Sequence, residues 1–400
     1  MNILEEAKGL QEQLAQYARD LHMIPEIGAV LPETAGYIKR KLTEWGVTYQ
    51  EYLDGNAIVA TIGSSLQGKR IALRTDMDAL AIAEETGLSY ASVNGNMHAC
   101  GHDAHMAMML GAVYILKQRE TELSGTVEIF FQPDEEGLDG ARQMIQEGAL
   151  KEHPADGILI LHLAQDEGLE SGQFLFKEGP LMASADTFDI RLEGEGVHAA
   201  HPELGRDPVT AAAHLIQAVQ TAVCREFPAL DPVVVSICNV RTRLNDGEDD
   251  RVVYNALPKY VDMAGTIRCM SGEIRERAVR RLGELTEAAG QMFHIKTSLR
   301  MRRKVPVTVN DAELTKAWEK TCRNLFGDSA VLHQEQPFMG SEDAGYFMKE
   351  IPGSYVHLVS NVYQDGRVIP GHHPRYRADE KILYRGAALL AEGAADFLNQ

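Results

Sequence analysis

What this chain has least of is positive charge. Its 400 residues carry 39 lysines and arginines against 58 aspartates and glutamates, a net charge of −19. That deficit argues against nucleic acid and anionic membrane as partners. It leaves the substrate open, because active-site charge is local. Cysteine is scarce as well: Cys100, Cys224, Cys238, Cys269 and Cys322 are odd in number and form no CxxC pair. The pattern fits the reduced thiols of a cytoplasmic protein. Long apolar runs are missing too, none approaching the ~18 residues that span a bilayer. The start, Met1-Asn-Ile-Leu-Glu-Glu-Ala-Lys8, is acidic and amphipathic and lacks the basic-then-apolar order of a signal peptide. The expected location is therefore the cytoplasm.

What is present is an ordinary globular composition, with 44% hydrophobic and 24% charged residues, in a chain longer than one core usually supports. Two domains are expected. Over the first stretch, helical and extended patterns alternate as in α/β domains. Helices are predicted over Ile3 to Met23, Thr34 to Trp45 and Ala104 to Lys117; strands are predicted over Arg70 to Asp76, Thr126 to Phe131 and Gly157 to His162. From Ser184 the rhythm changes to strand Phe188 to Leu192, helix Asp207 to Val223, strands Pro232 to Val240 and Lys259 to Arg268, helix Glu273 to Met292 and strand His294 to Met301. That βαββαβ order is ferredoxin-like. The α/β rhythm returns with helix Asp311 to Leu325, strand Ser354 to Val359 and helix Asp379 to Phe397. The expected architecture is an α/β domain with a central mixed sheet, residues 1–183 and 303–400, interrupted by a ferredoxin-like domain, residues 184–302.

The densest coordinating chemistry is Met97 to His105, which holds three histidines, one cysteine and one aspartate ahead of an amphipathic run. A thiolate at Cys100 and an imidazole at His102 both face one ion if the backbone between them is extended. Sulfur with nitrogen suits zinc, manganese or a similar first-row metal better than calcium or magnesium. The plainer reading is a polar loop with Asp103 capping a helix. The other polar candidates each fall just past a predicted strand: Asp76 and Asp78, Glu135 and Glu136, His162, then His372 and His373. In open α/β sheets, ligands bind beyond the carboxyl ends of the strands. One cleft is therefore expected to gather a thiolate, several imidazoles and several carboxylates. If Glu135 and Glu136 are extended, their side chains point oppositely, so one can hold metal while the other faces a water and takes its proton. Pro133-Asp-Glu-Glu-Gly137 is also good turn chemistry. Alone, His198 reads as a loop residue and Arg268 as a solvated charge.

Together these residues resemble the dinuclear metallopeptidase family of aminoacylases and carboxypeptidase G-type enzymes. The nearest branch holds hippurate hydrolases, auxin-conjugate hydrolases and N-acetyl-amino-acid deacetylases. The similarity runs through Arg74-Thr-Asp-Met-Asp-Ala-Leu80, His98-Ala-Cys-Gly-His-Asp103, Phe131-Gln-Pro-Asp-Glu-Glu136, His198-Ala-Ala200, Gly265-Thr-Ile-Arg268 and Gly340-Ser-Glu-Asp343. It implies that Cys100, His102, Glu136, His162 and His372 bind two divalent ions (zinc, manganese, cobalt or nickel). Glu135 would be general base and acid, with Asp78 a supporting carboxylate. The inserted domain would be a lid through which the chain forms a homodimer. His198 would reach the partner subunit's site to stabilise the oxyanion, and Asn255 and Arg268 would hold the substrate's carboxylate.

Some positions depart from the family pattern. Asp134 stands where alanine is usual, Val197 and Glu203 where glycine and histidine are frequent, and Arg241 to Arg251 is long and charged ahead of Asn255-Ala-Leu-Pro258. Gly371-His-His-Pro374 offers two histidines for the last ligand, of which His372 is taken. These changes leave the metal centre intact and bear on substrate choice. The expected activity is cleavage of the amide of an N-acyl amino acid or related small conjugate. Two rivals stand beside it: a thiol hydrolase using Cys100, and a non-catalytic dimeric metal-binding protein. The first leaves Glu135, Glu136 and His162 without a task, and the second needs no base beside a ligand.

Overall fold

The computed structural model describes residues 2–63, 68–247 and 252–400, so residues 248–251 of the charged segment lie outside the described residues. The chain forms two compact units.

The first unit comprises Met1–Leu181, Thr308–Gln336 and Glu342–Gln400. It opens with helices Ile3–Gly9 and Gln11–His22 where the periodicity predicts one. The break at Leu10 follows Gly9, a weak helix former. Helix Pro32–Glu44 then leads into a hairpin of β1 (Thr48–Tyr52) and β2 (Ala57–Ile62), turned through Asp54-Gly55. Next come β3 (Arg70–Asp76), β4 (Thr126–Gln132), β5 (Gly157–Ala164), β6 (Phe174–Phe176) and the short β7 (Gly179–Met182).

The second unit, Met182–Val307 with Pro337–Ser341, contributes β8 (Ala185–Glu193), β9 (Val233–Arg243), β10 (Tyr260–Cys269) and β11 (Lys296–Val305). The chain then returns to the first unit with β12 (Thr308–Asn310), β13 (Val331–His333) and β14 (Gly353–Val359).

The large sheet runs β1-β2-β4-β3-β5-β14-β6-β13. Its centre, β4-β3-β5-β14, is parallel, while β1-β2, β2-β4 and β14-β6 are antiparallel, so the sheet is mixed. β3, β4, β5 and β14 are buried along almost their whole length, as parallel strands covered on both faces must be. Their carboxyl ends therefore lie along one edge. The helix His102–Gln118 is not the amphipathic element its sequence first resembles. Met106, Met108, Met109, Leu110, Val113, Ile115 and Leu116 are all buried, giving a helix apolar all round at the centre of the core.

The second unit's sheet has the order β11-β8-β10-β9, antiparallel throughout, the arrangement of a ferredoxin-like βαββαβ unit. Phe188, Ile190, Leu192, Val261, Met263 and Ile267 point to one face, where they pack with Leu215 and Val219 of helix Pro208–Glu226 and Leu282 of helix Gly272–Phe293. Asp207 caps the first helix by accepting from the Val209 amide, and Ser271 caps the second. His294 is not strand: it closes the preceding helix in a left-handed conformation, and the last strand starts at Lys296.

Candidate metal centre

Three parallel strands deliver side chains to one edge of the large sheet. β3 ends at Asp76 and passes directly to Asp78; β4 runs into the Glu135-Glu136 segment; His162 lies in the last turns of β5. The Cys100-Gly-His102 segment is not extended. Gly101 adopts φ +87° at the start of helix His102–Gln118, and this left-handed turn swings Cys100 and His102 onto the same side. A Cβ there would come within 2.7 Å of the Tyr376 hydroxyl, so only glycine fits both the conformation and the space. The glutamate pair is not extended either. It sits in a tight turn in which the Leu138 amide donates to the Glu135 carbonyl at 2.7 Å, with Asp134 and Leu138 at positive φ.

Asp78 explains how a turn holds two carboxylates in place. Its buried side chain accepts from the Glu135 amide at 2.9 Å and from the Glu136 amide at 3.1 Å, while its carbonyl accepts His102 Nδ1–H at 2.8 Å. One residue thus braces three of the candidates.

Hydrogen-bond bookkeeping sorts ligands from supports. Asp76, His102, His105 and His162 present atoms close enough to share an ion, as do Cys100, His102 and Glu136. His105, however, is used up: Nδ1 bonds Asp76 at 2.8 Å, and Nε2 accepts from the Leu163 amide at 2.8 Å. Asp76 is shared between His105 and Arg74. His162 turns Nδ1 to the Leu163 carbonyl at 2.6 Å, leaving Nε2 3.6 Å from Cys100 Sγ. His372 places Nε2 3.2 Å from Glu136 Oε1, whereas His373 turns back to accept from the Arg375 amide. Among the described residues the buried His102 Nε2 has no hydrogen-bond partner, and Glu136 Oε1 faces only the His372 imidazole. An orphaned imidazole nitrogen converging with a thiol, a carboxylate and two further imidazoles fits divalent cations, and this donor set suits zinc or its first-row neighbours.

The local electrostatics point the same way. Burial, then the Glu136 and Glu135 carboxylates, hold the Cys100 thiol well above its ordinary value, so a thiolate there calls for a neighbouring cation. The same shift removes the basis for Cys100 as a free nucleophile. The two glutamates are driven apart. Burial and the acids Glu342, Glu136, Asp343 and Asp78 push Glu135 well up. Burial opposes ionisation of Glu136 as well, but the His372 and His102 imidazoles win and hold it below the usual carboxylate range. Adjacent carboxyls split in this way are suited to different tasks, one a ligand and one a proton carrier.

Behind Glu135 lies a network that sequence patterns underrate. Arg74 is fully buried and donates to Gln132 at 2.8 Å, Asp76 at 3.0 Å, and Glu342 and Asp343 at 3.1 Å each. Tyr355 donates to Glu342 at 2.9 Å. Glu135, Glu342 and Asp343 cluster closely enough to interact directly. The available signal was an arginine directly after the apolar run Ile71-Ala-Leu73 of a strand that is buried almost throughout. Asp103 is no helix cap; it bonds His22 Nδ1 at 2.7 Å from within the first helical turn.

The remaining candidates belong to the second unit. His198 bridges to Ala256, Asn255 accepts from the Ala199 amide at 2.9 Å, and both residues are exposed. Arg268, at the end of β10, donates to Ser341 Oγ at 2.5 Å.

Comparison with known proteins agrees with this chemistry. The chain is 34% identical over 396 residues to an N-acetyl-L-cysteine deacetylase of Bacillus subtilis, covering 98% of this chain and 89% of that one. It is 34% identical over 405 residues to an IAA-amino acid hydrolase of Arabidopsis thaliana, covering 100% and 88%. Its fold is similar to a crystal structure from Bacillus subtilis described as a dinuclear metal binding peptidase, with TM-score 0.80, 31% identity and coverage of 98% and 99%. The model of peptidase family M20/M25/M40 matches residues 72–396, and the chain belongs to that family.

Proposed function

We propose that this hydrolase cleaves the amide of an N-acyl amino acid or a related small conjugate, with Cys100, His102, Glu136, His162 and His372 holding two divalent ions. The cysteine leans towards zinc, with manganese, cobalt and nickel tolerated. Ions held there supply Lewis acidity, polarising the scissile carbonyl and acidifying the attacking water. Glu135 takes the proton of that water and returns it to the leaving nitrogen. The observation that carries this reading is the brace from Asp78 to both glutamate amides, which presents one carboxylate as ligand and its neighbour as base. The upward shift of Glu135 suits a group that must carry a proton between two partners.

The second unit serves as a lid and as the interface of a homodimer, through which His198 reaches the partner subunit's site to stabilise the oxyanion. Asn255 and Arg268 hold the substrate's carboxylate; the bond from Arg268 to Ser341 supports this by steadying the guanidinium. The acyl groups handled by the relatives favour a small acyl amino acid. A cytoplasmic setting is supported by five cysteines that are all free. Among the described residues no helix is long and apolar enough to cross a membrane.

The test pairs elemental analysis with turnover. Two ions per chain are expected, with hydrolysis of N-acetylcysteine or hippurate lost on chelation and regained on adding metal. Glu135→Gln should keep its metal and lose at least about a hundredfold in kcat, the usual scale of a lost general base. Full activity in that variant would remove Glu135 as base, and full activity after complete chelation would remove the metal. Metal without turnover of any acyl amino acid would leave the binding protein.

A further inference from the structure

Helices Pro208–Glu226 and Gly272–Phe293 cover one face of the second unit's sheet, and the other face is unusual for so acidic a chain. Its cross-strand rows can be read from the pairing. Ser298, Arg191, Asp262 and Arg241 form one row across β11, β8, β10 and β9. Arg300, Asp189, Ala264 and Asn239 form the next. A bulge between Met301 and Arg303 adds Arg302 beside Asp189, and Arg243 stands one row away from Asp262.

The small side chains Ala264, Ser298 and Asn239 make a floor. Five arginines and two aspartates wall a groove of about 470 Å³ above it. That is within the ~300–1,000 Å³ of small-molecule sites. The aspartates organise the arginines: Asp262 accepts from Arg191 at 2.7 Å and pairs with Arg243 at 2.8 Å, and Asp189 accepts from Arg302. Among the lining residues arginines outnumber aspartates, on a chain of net charge −19.

Cations on edge strands commonly guard a sheet against pairing with another. That accounts for the exposed Arg241, Arg300 and Arg302 on β9 and β11, which are the edges. It does not account for Arg191 on the interior strand β8, nor for Arg243, whose side chain is only 13% exposed. Guanidinium forks match carboxylate and phosphate oxygens two at a time. Tyr260, the aromatic beneath Arg191 and Arg243, is buried and offers no platform for stacking bases.

We infer that this groove is a binding site for a small anion carrying two or more phosphate or carboxylate groups. The site stands apart from the proposed hydrolysis and does not rest on it. The long-range field of the chain repels anions, so the attraction is local and should be lost as salt screens it.

Isothermal titration of the full, metal-loaded chain tests this, with fructose 1,6-bisphosphate as phosphate probe and propane-1,2,3-tricarboxylate as carboxylate probe. One probe should bind saturably, once per chain, and its identity separates the two chemistries. Binding should weaken at least tenfold in Arg300→Ser/Arg302→Ser, and again in Arg191→Ser, with amide hydrolysis unchanged in both. Absence of saturable binding by either probe would overturn the site. So would equal binding by wild type and both variants, since the anion would then sit elsewhere.

Discussion

Arg74→Met tests the buried network behind Glu135. In the wild type one fully buried guanidinium answers Asp76, Glu342 and Asp343 at 3.0–3.1 Å. Methionine fills similar volume but leaves those acids facing one another and Glu135 without a cation. Removing one partner of a buried ion pair costs about 3–5 kcal/mol, because the remaining charge has neither water nor a counterion. Set against a usual stability of about 5–15 kcal/mol, that loss is large. It should also depend on pH with a definite sign. Orphaned carboxyls have their folded-state pKa raised, so the penalty is full near pH 7 and fades as pH falls towards their unfolded value of about 4. Urea unfolding of both proteins at pH 7 and pH 5 reads the difference. Arg74→Lys, which keeps the charge without the fork, should fall between them. A penalty under about 1 kcal/mol at pH 7, or one that does not shrink at pH 5, would refute the reasoning.

Two further outcomes follow from individual bonds. Asp78→Ala strips the acceptor from the Glu135 and Glu136 amides and should lower metal affinity at least about tenfold in chelator competition, with Asp78→Asn losing less because one acceptor remains. Equal affinity in all three proteins would remove Asp78 as the brace. Burial alone would lower the His22 pKa, but its bonds to Asp103 and Glu84 raise it to about 10. A raised histidine stabilises fully below its unfolded value of about 6.5, and the gain is lost as pH climbs towards 10. Metal-free wild type should therefore lose stability across that window and His22→Gln should not; parallel curves would refute the ion pair.

Much of the candidate site was legible because metal chemistry is conservative about residue type. Cys100 and His102 stood out as thiol and imidazole clustered ahead of a helix, Glu136 and His162 as carboxylate and imidazole placed after strands, and the alternation of Val261, Met263 and Ile267 announced a half-buried strand. Less legible was the local backbone. Extended geometry was the natural expectation for Cys100 to His102 and for the glutamate pair, yet Gly101 turns left-handed and Asp78 clamps Glu135 and Glu136 in a turn. The hairpin β1-β2 and the all-round burial of His102–Gln118 were hidden too, because burial depends on what packs against an element, not on its own pattern.

By itself the sequence determined the inventory and its order: which donors exist, which strands lead to them, and a βαββαβ interruption read over residues 184–302. Only the tertiary structure decided which donors remain available. His105 and Asp76 are as suitable by type as His102 and Glu136. A backbone amide 58 residues along the chain and a buried arginine occupy the first pair, while among the described residues nothing satisfies His102 Nε2 and only His372 faces Glu136 Oε1. A lone pair is free or taken according to what folding brings within 3 Å, and that is settled by contacts between residues distant in the chain.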